Sequence, residues 1–296
     1  MDWDKLRIFH AVAEAGSFTH AGDALNLSQS AISRQVSALE DTLRTQLFHR
    51  HARGLILTEQ GEMLYRTAHE VFGKVAMAEA LLTDAKDKPS GELKVTTTVG
   101  FGSTWLTPRI REFLEMYPDI TFNLIVADHE LDLSMREADV AIRMRKPTQP
   151  ELIQRKLMET NHHIYASPEY IKRRGNPSQL ADLAQHDIII YGEEAPSTIA
   201  NVNWLLELAR RQGSDIRPIL KVNNIYGLLL AVESGLGIAS LPDYIVRGHG
   251  NLLRVLPDHK GPTFDTYFVY PEELRNSGRI GVFRDFLIRQ VAEWRN

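Results

Sequence analysis

The stretch LSQSAISRQVSALE, residues 27–40, places Ile32, Val36 and Leu39 on one side of a short helix and polar residues on the other. Apolar residues three and four apart are the buried stripe of an amphipathic helix, and Leu43 extends it. The open face consists of Gln29, Ser30, Ser33, Arg34 and Ser37, polar yet scarcely charged. Ser28 is a good N-cap for this helix, which is expected to run to about Leu43. Upstream, KLRIFHAVA (residues 5–13) sets Leu6, Phe9, Val12 and Ala13 at helical spacing. Gly16 breaks that helix, and Ser17 or Thr19 caps the next one. There Ala21, Ala24 and Leu25 form a stripe suited to close helix crossing. A short helix, a tight turn and a longer helix make a helix-turn-helix unit.

In such a unit the N-terminal half of the second helix enters the major groove of DNA. Gln pairs with adenine, Arg with guanine, and Ser with bases or phosphates, so the low charge of the open face suits base-edge reading. Phosphate grip must then come from elsewhere. Residues 42–58, TLRTQLFHRHARGLILT, hold Arg44, Arg50, Arg53, His49 and His51 and no acid. RHARGLILT reads as a hairpin turning at Arg53–Gly54, a basic wing with Arg50 and Arg53 on the backbone. Any amphipathic helix pair would share part of this pattern, so the helices alone leave that alternative open.

FHAVAEAGSFTHAGDALNLSQSAISRQVSALE followed by LFHRHARGLILTEQG resembles the DNA-binding domain of LysR-type transcriptional regulators, almost without gaps over residues 3–65. Two residues depart from the family pattern. Arg44 stands where Gly is usual after the reading helix, and Gly22 stands where a second Ala is usual. The resemblance implies a winged helix-turn-helix that binds an interrupted inverted repeat of the T-N11-A type as a dimer or tetramer. MDWDKLRIFHAVAEAGSFTHAG and TTTVGFGSTWLTPRI further resemble a subgroup of alphaproteobacterial regulators, whose effectors and target genes differ among themselves.

Residues 59–87 contain no Pro and two Gly. Leu64, Ala68, Val71, Val75, Ala78 and Leu82 are spaced four, three, four, three and four apart, the seam of a coiled coil; packing on the chain's own domain is the alternative. Lys88-Pro89-Ser90-Gly91 then breaks the helix as a hinge. The expected domains are therefore 1–58 for DNA binding, 59–91 for the dimerisation linker, and 92–296 for regulation.

From Glu92 onward apolar strands alternate with helices, predicting an α/β region with a mainly parallel sheet. Strands are expected at ELKVTTTV, ITFNLIVA, ADVAIRM, HHIYA, HDIIIY, PILKV, GIASL and TYFVY, with a short helix at HELDLSMRE. The family resemblance implies two lobes like the type 2 periplasmic binding proteins, lobe one at about 92–161 and 268–296, lobe two at 162–267. Ligands of open α/β sheets lie beyond the carboxyl ends of strands. Thr97, Thr98 and Ser103, with free backbone N–H groups before a helix, suit an anion, and Arg143 can clasp a carboxylate in a bidentate grip. Asp128 and Asn224 complete the expected cleft. Arg143 can equally pair with Asp128 or Asp139, and the threonines fit strands simply as β-branched residues. Trp105 covers a ligand or fills the lobe core.

With 43% hydrophobic residues the chain can fill ordinary cores. No apolar run approaches the ~20 residues of a membrane span, and no signal sequence opens it, so a cytoplasmic location is expected. Zero Cys excludes disulfides, thiolate nucleophiles and zinc–thiolate clusters. His162 and His163, adjacent on a strand, point to opposite faces and cannot share a metal. GxSxG, HExxH and P-loop motifs are absent, so neither catalysis nor a cofactor is expected. Partners are expected to be double-stranded DNA, a small and anionic effector, RNA polymerase and copies of the chain itself. The alternative is an α/β small-molecule binding protein or enzyme carrying an N-terminal helical domain. The working order of reading helix, wing, dimer seam and ligand lobes favours the regulator.

Overall fold

Caps delimit the N-terminal helices. α1 (Trp3–Ala15) starts where the Asp2 side chain accepts from the Asp4 N–H, and stops at Gly16 in the left-handed region, φ 59°. α2 (Phe18–Leu25) begins at Ser17, which accepts from the Thr19 N–H. α3 (Gln29–Leu43) begins at Ser28, which accepts from the Ala31 N–H. The computed structural model describes residues 2–51, 54–83, 88–192, 201–211, 213, 216–248 and 251–295, with the backbone alone at 50, 51, 54, 76–83 and 295. The chain divides into two compact units, one comprising residues 1–82 and 134–136 and the other 83–133 and 137–296.

In the first unit Ile32, Val36 and Leu39 of α3 are wholly buried in one core with Phe9, Val12 and Ala21. Leu43, expected on the same stripe, is 39% exposed because it lies in the last turn before the cap. Ala24 is exposed as well, and Ala21 with Gly22 makes the buried face of α2. A Cβ on Gly22 would stand 2.6 Å from the Leu27 carbonyl oxygen. Here the turn folds back so closely that glycine replaces the usual alanine.

β1 (Phe48–His51) and β2 (Gly54–Leu57) form the hairpin, with His51 already paired to Gly54. Of the expected turn at Arg53–Gly54, Gly54 already belongs to β2 and Arg53 lies outside the described residues. α4 (Glu59–Thr83) follows without a break. Thr58 ties its start to the hairpin: its N–H donates to the Leu47 carbonyl at 2.9 Å. Its hydroxyl donates to the Gln46 carbonyl at 2.8 Å and accepts from the Gly61 N–H at 3.0 Å. A Cβ on Gly61 would lie 2.1 Å from the Leu47 oxygen, so only glycine fits.

The second unit holds a seven-stranded sheet. Its N-terminal strands are β3 (Gly91–Thr97), β4 (Ile120–Val126) and β5 (Val140–Arg143), with β3 parallel to both of the others. Between β3 and β4 run α5 (Val99–Phe101), a π-turn at Gly102–Leu106 and α6 (Thr107–Met116). β6 (Leu152–Ala166) follows, fifteen residues long, where only HHIYA was expected to be strand. Its first half, LIQRKLMETN, alternates too irregularly to reveal itself in the sequence. Next come α7 (Pro168–Arg174), β7 (Ile188–Tyr191), α8 (Trp204–Arg211), β8 (Pro218–Val222) and α9 (Ile225–Glu233). The chain finishes with β9 (Ala239–Pro242), α10 (Asp243–Val246), β10 (Leu253–Val255), β11 (Thr263–Pro271) and α11 (Gly278–Arg295).

The sheet is mixed rather than mainly parallel. β11 runs antiparallel to β5 and to the first half of β6, while β9 and β10 run antiparallel to its second half. One long strand thus serves both lobes, changing partners between Asn161 and His162. β11 joins the lobe-one sheet from Thr263, ahead of the expected return at 268. A separate parallel pair, β7 with β8, belongs to lobe two. HELDLSMRE is a turn rather than a helix, since Arg136 at φ 61° breaks right-handed winding. The lobe-one core is an aromatic cluster of Phe113, Phe122, Phe268, Phe283 and Phe286, with Phe113 and Phe283 centroids 5.1 Å apart. Lobe two packs around Tyr170, Ile188, Leu183, Ala209 and Ile238.

Arg44 ends α3 in the left-handed region at φ 52° and ψ 38°. That conformation costs a non-glycine residue about 1–2 kcal/mol. Arg44→Gly is expected to raise the stability of the first unit by roughly 1 kcal/mol, read as a higher urea midpoint of that unit in the full chain.

Candidate nucleic-acid interface and ligand cleft

Burying Ile32, Val36 and Leu39 turns the opposite face of α3 to solvent. Gln29, Ser30 and Arg34 are exposed, and Ser33 and Ser37 are half-buried, all in the described surface of one helix. The face is lightly pre-ordered: the Arg34 Nε donates to the Ser30 carbonyl at 3.3 Å, and the Ser28 and Ser30 hydroxyls are 3.2 Å apart. Such bonds are weak enough to exchange for base edges. Arg50 sits on β1 opposite Leu55, its side chain outside the described residues, as is the whole of Arg53.

Glu40, at the buried edge of α3, sets the relation between the reading helix and the hairpin. Its Oε1 accepts from the Leu47 N–H at 2.7 Å and from the Phe48 N–H at 3.3 Å. Sequence reasoning missed this role; the signal available was an acid seven residues before an apolar pair that opens a strand. An open, polar groove of about 830 Å³ lies between the C-terminal half of α3 and β1, lined by Ser37, Glu40, Arg44, Gln46 and His49 among others.

The expected dimer seam divides in two. Ala68 is fully buried and Leu64 packs beside it, both against the core of their own unit. Ala68 is therefore not available to a second chain, whereas Leu64 is only partly buried. α4 must anchor its first three turns on the helix-turn-helix, and these two positions do so. Val71 (37% exposed) and Val75 (41%) do face solvent, as does Met63 (68%). Ala78 and Leu82 continue the same helix, their side chains outside the described residues.

The ligand cleft of the second unit is arranged differently from expectation. Thr97 and Thr98 line a pocket with His129, Glu130, Leu131 and Arg143 at the carboxyl ends of β3, β4 and β5. Its volume is about 20 Å³, room for one water. The Thr97 hydroxyl is spent on the Ile142 carbonyl at 3.0 Å, inside the sheet. Arg143 is 6% exposed and internally paired: it donates to the Leu131 carbonyl at 3.1 Å and to Gln149 at 3.3 Å. Its ion-pair partner is Glu130, 3.7 Å away, rather than Asp128 or Asp139. Asp128 accepts from the Val99 N–H at 3.1 Å, so the helix start expected to hold a foreign anion already holds a carboxylate of the chain. Burial raises the Asp128 carboxyl above its ordinary range, against the lowering effects of that N–H and of His129.

Asn224 does not join this group; it caps α9, accepting from the Gly227 N–H at 2.7 Å. Ser103 is half-buried in the π-turn and does not line the pocket. Trp105 is a core residue, 1% exposed and stacked 4.8 Å from Phe101. The lobes meet closely near Thr98: a Cβ on Gly100 would lie 3.3 Å from both Ile225 and the Tyr244 hydroxyl. Burial, followed by the charge of Asp128, raises the phenols of Tyr191 and Tyr244. His162 and His163 take different partners, the Pro262 carbonyl and the Asp243 carboxylate. Burial pushes the His162 imidazole down to about 4. Among the described residues no helix is long and apolar enough to cross a membrane.

Comparison with known proteins agrees with this division. Residues 3–62 match the family model described as bacterial regulatory helix-turn-helix protein, lysR family, and residues 86–292 match the LysR substrate binding domain. The chain is 30% identical to the HTH-type transcriptional regulator CrgA of Neisseria meningitidis serogroup C, over 98% of this chain and 97% of that protein. It is 31% identical to the HTH-type transcriptional regulator YhjC of Escherichia coli K12, over 98% and 97% of the two lengths. The full-length structure of the Vibrio cholerae virulence activator AphB aligns over 98% of this chain and 99% of that one, with TM-score 0.62 and 28% identity.

Glu130 carries a pH dependence with a definite sign. Burial alone would raise its carboxyl, but the Arg145 hydrogen bond and the charges of Arg143 and Arg145 hold it below the ordinary range. A carboxyl depressed in the folded state stabilises it above the unfolded value, about 4.3, and that contribution is lost as pH falls through the folded value. In Glu130→Gln the unfolding midpoint of the regulatory unit should depend less steeply on pH in this acid window, a difference that a pH series of urea titrations measures.

Proposed function

The chain belongs to the LysR family of DNA-binding transcriptional regulators, with a substrate-binding regulatory domain, and on that premise we propose how its own residues divide the work. Gln29, Ser30, Ser33, Arg34 and Ser37 read base edges in the major groove, while Arg50 and Arg53 hold phosphates from the wing. The observation that carries this reading is the solvent-facing, nearly uncharged side of α3, set beside the hairpin by the Glu40 carboxylate. Two chains pair through the exposed stripe that starts at Met63 and continues through Val71 and Val75, with Ala78 and Leu82 beyond. Pairs of dimers then form a tetramer on an interrupted inverted repeat of the T-N11-A type and contact RNA polymerase, in the cytoplasm.

The effector is small and anionic. Arg143 and the N–H of Val99 are the positive features of the cleft, and each is neutralised by an internal carboxylate, Glu130 and Asp128. An entering carboxylate exchanges for Glu130 at Arg143, and a pocket with room for one water must open to admit it. The ligand shifts the balance between closed and open lobes only by its difference in affinity for the two. This charge exchange supplies such a difference.

Selection of bound genomic fragments by the full-length protein at physiological salt tests the DNA reading. An enriched two-fold related site is expected; binding that is sensitive to salt but blind to sequence would remove the reading role of α3. Arg34→Ala should cost about 1–3 kcal/mol at one base position, whereas Arg53→Ala should weaken all sequences alike and lower the salt slope by about 1. For the effector, thermal shift of the full chain against small mono- and dicarboxylates should reveal at least one stabilising acid whose effect Arg143→Gln abolishes. An acid that stabilises both proteins equally would place the site elsewhere.

A further inference from the structure

Outside both sites, the first unit brings together three side chains with metal-ligating chemistry. His10 and Glu14 lie one turn apart on α1, and His69 reaches the same point from α4. His10 Nε2 and His69 Nδ1 are 2.8 Å apart, and His69 Nδ1 is 3.6 Å from Glu14 Oε1. His10 Nδ1 is 3.7 Å from Glu14 Oε2. One ligand atom from each of the three residues lies within 4.8 Å of the other two, and among the described residues this is the one such group. In a tetrahedral site with bonds of about 2.0–2.1 Å, neighbouring ligand atoms stand about 3.3 Å apart. The two edges that meet at His69 Nδ1, 2.8 and 3.6 Å, straddle that spacing, and the third lies within 4.8 Å.

The surroundings hold the imidazoles in place. The His10 ring stacks on Tyr65 at 5.3 Å and 20° and meets Phe72 at 5.2 Å. The two histidine side chains are 14% and 18% exposed, while Glu14 at 50% leaves an entry path and an open coordination position. Two imidazoles and one carboxylate from rigid helices suit a borderline divalent ion such as Zn(II), Co(II) or Ni(II). Hard cations that prefer all-oxygen shells are disfavoured. We propose that His10, Glu14 and His69 form a binding site for a divalent transition-metal ion, which clamps the first helix of the reading unit to the linker helix. In the metal-free state the two rings hydrogen-bond to each other; on binding, the donating ring shifts its proton to its other nitrogen, so that both facing nitrogens offer lone pairs to the ion.

The test uses tag-free full-length protein and Zn(II) alone, followed by calorimetry, with Co(II) ligand-field absorption as a second reading. One ion per chain with micromolar or tighter affinity is expected, together with a rise in the unfolding temperature of the first unit on adding Zn(II). Glu14→Gln alters a half-exposed position and should leave the metal-free unfolding midpoint in place while weakening binding at least tenfold; His69→Gln should weaken it further. Three results would overturn the site: no stoichiometric binding below about millimolar metal, Glu14→Gln and His69→Gln both binding as tightly as the wild type, or an unfolding temperature that does not respond to Zn(II).

Discussion

The complete burial of Ile32, Val36 and Leu39 against Phe9, Val12 and Ala21 is the constraint from which the rest of the reading unit follows. A helix with one wholly apolar stripe has one orientation that removes it from water, and that orientation presents the serines, Gln29 and Arg34 outward. The low charge of this face suits the base reading proposed for it, since base edges are read by hydrogen-bond pattern and phosphate by charge. Glu40 extends the constraint to the wing by holding the Leu47 and Phe48 N–H groups. Thr58 and Gly61 extend it to α4 through the Leu47 carbonyl. Reading helix, wing and linker thus share one packed origin, and a shift of α3 would move all three.

The regulatory unit is governed by charge held in reserve. Arg143 and the Val99 N–H are the groups that an anion would seek, and the chain satisfies both with Glu130 and Asp128. A buried guanidinium left without a partner would be costly, so the closed cleft carries its own counterions. The anionic effector proposed above would compete with groups already present, and its affinity would depend on what opening the cleft costs. The fifteen-residue strand β6 is shared between the lobes and is a continuous piece of backbone common to both.

The departures from the family pattern have local explanations. Gly22 is required by a carbonyl that approaches within 2.6 Å of where a Cβ would stand. Arg44 adopts the left-handed conformation without being glycine and puts a cation at the end of the reading helix, beside the groove lined by Gln46 and His49. Strain of this kind persists where the surrounding structure over-determines it.

The sequence by itself determined the elements whose signals are local. The caps at Ser17 and Ser28, the break at Gly16, the stripe through Ile32, Val36 and Leu39, and most strands were readable because periodicity and capping act within a few residues. Tertiary structure decided what depends on distant partners. Leu64 and Ala68 have seam spacing, yet their own core claims them, because helical periodicity says that a face is buried and not by which neighbour. Arg143 is marked as a cation at a strand end, but its pairing with Glu130 arises only when the turn after β4 folds back on β5. The first half of β6 carries no clean alternation, because its strand state comes from hydrogen bonding to β11, a hundred residues later in the chain. His10, Glu14 and His69 stand fifty-nine residues apart at their extremes, and only the packing of α4 on α1 makes them neighbours.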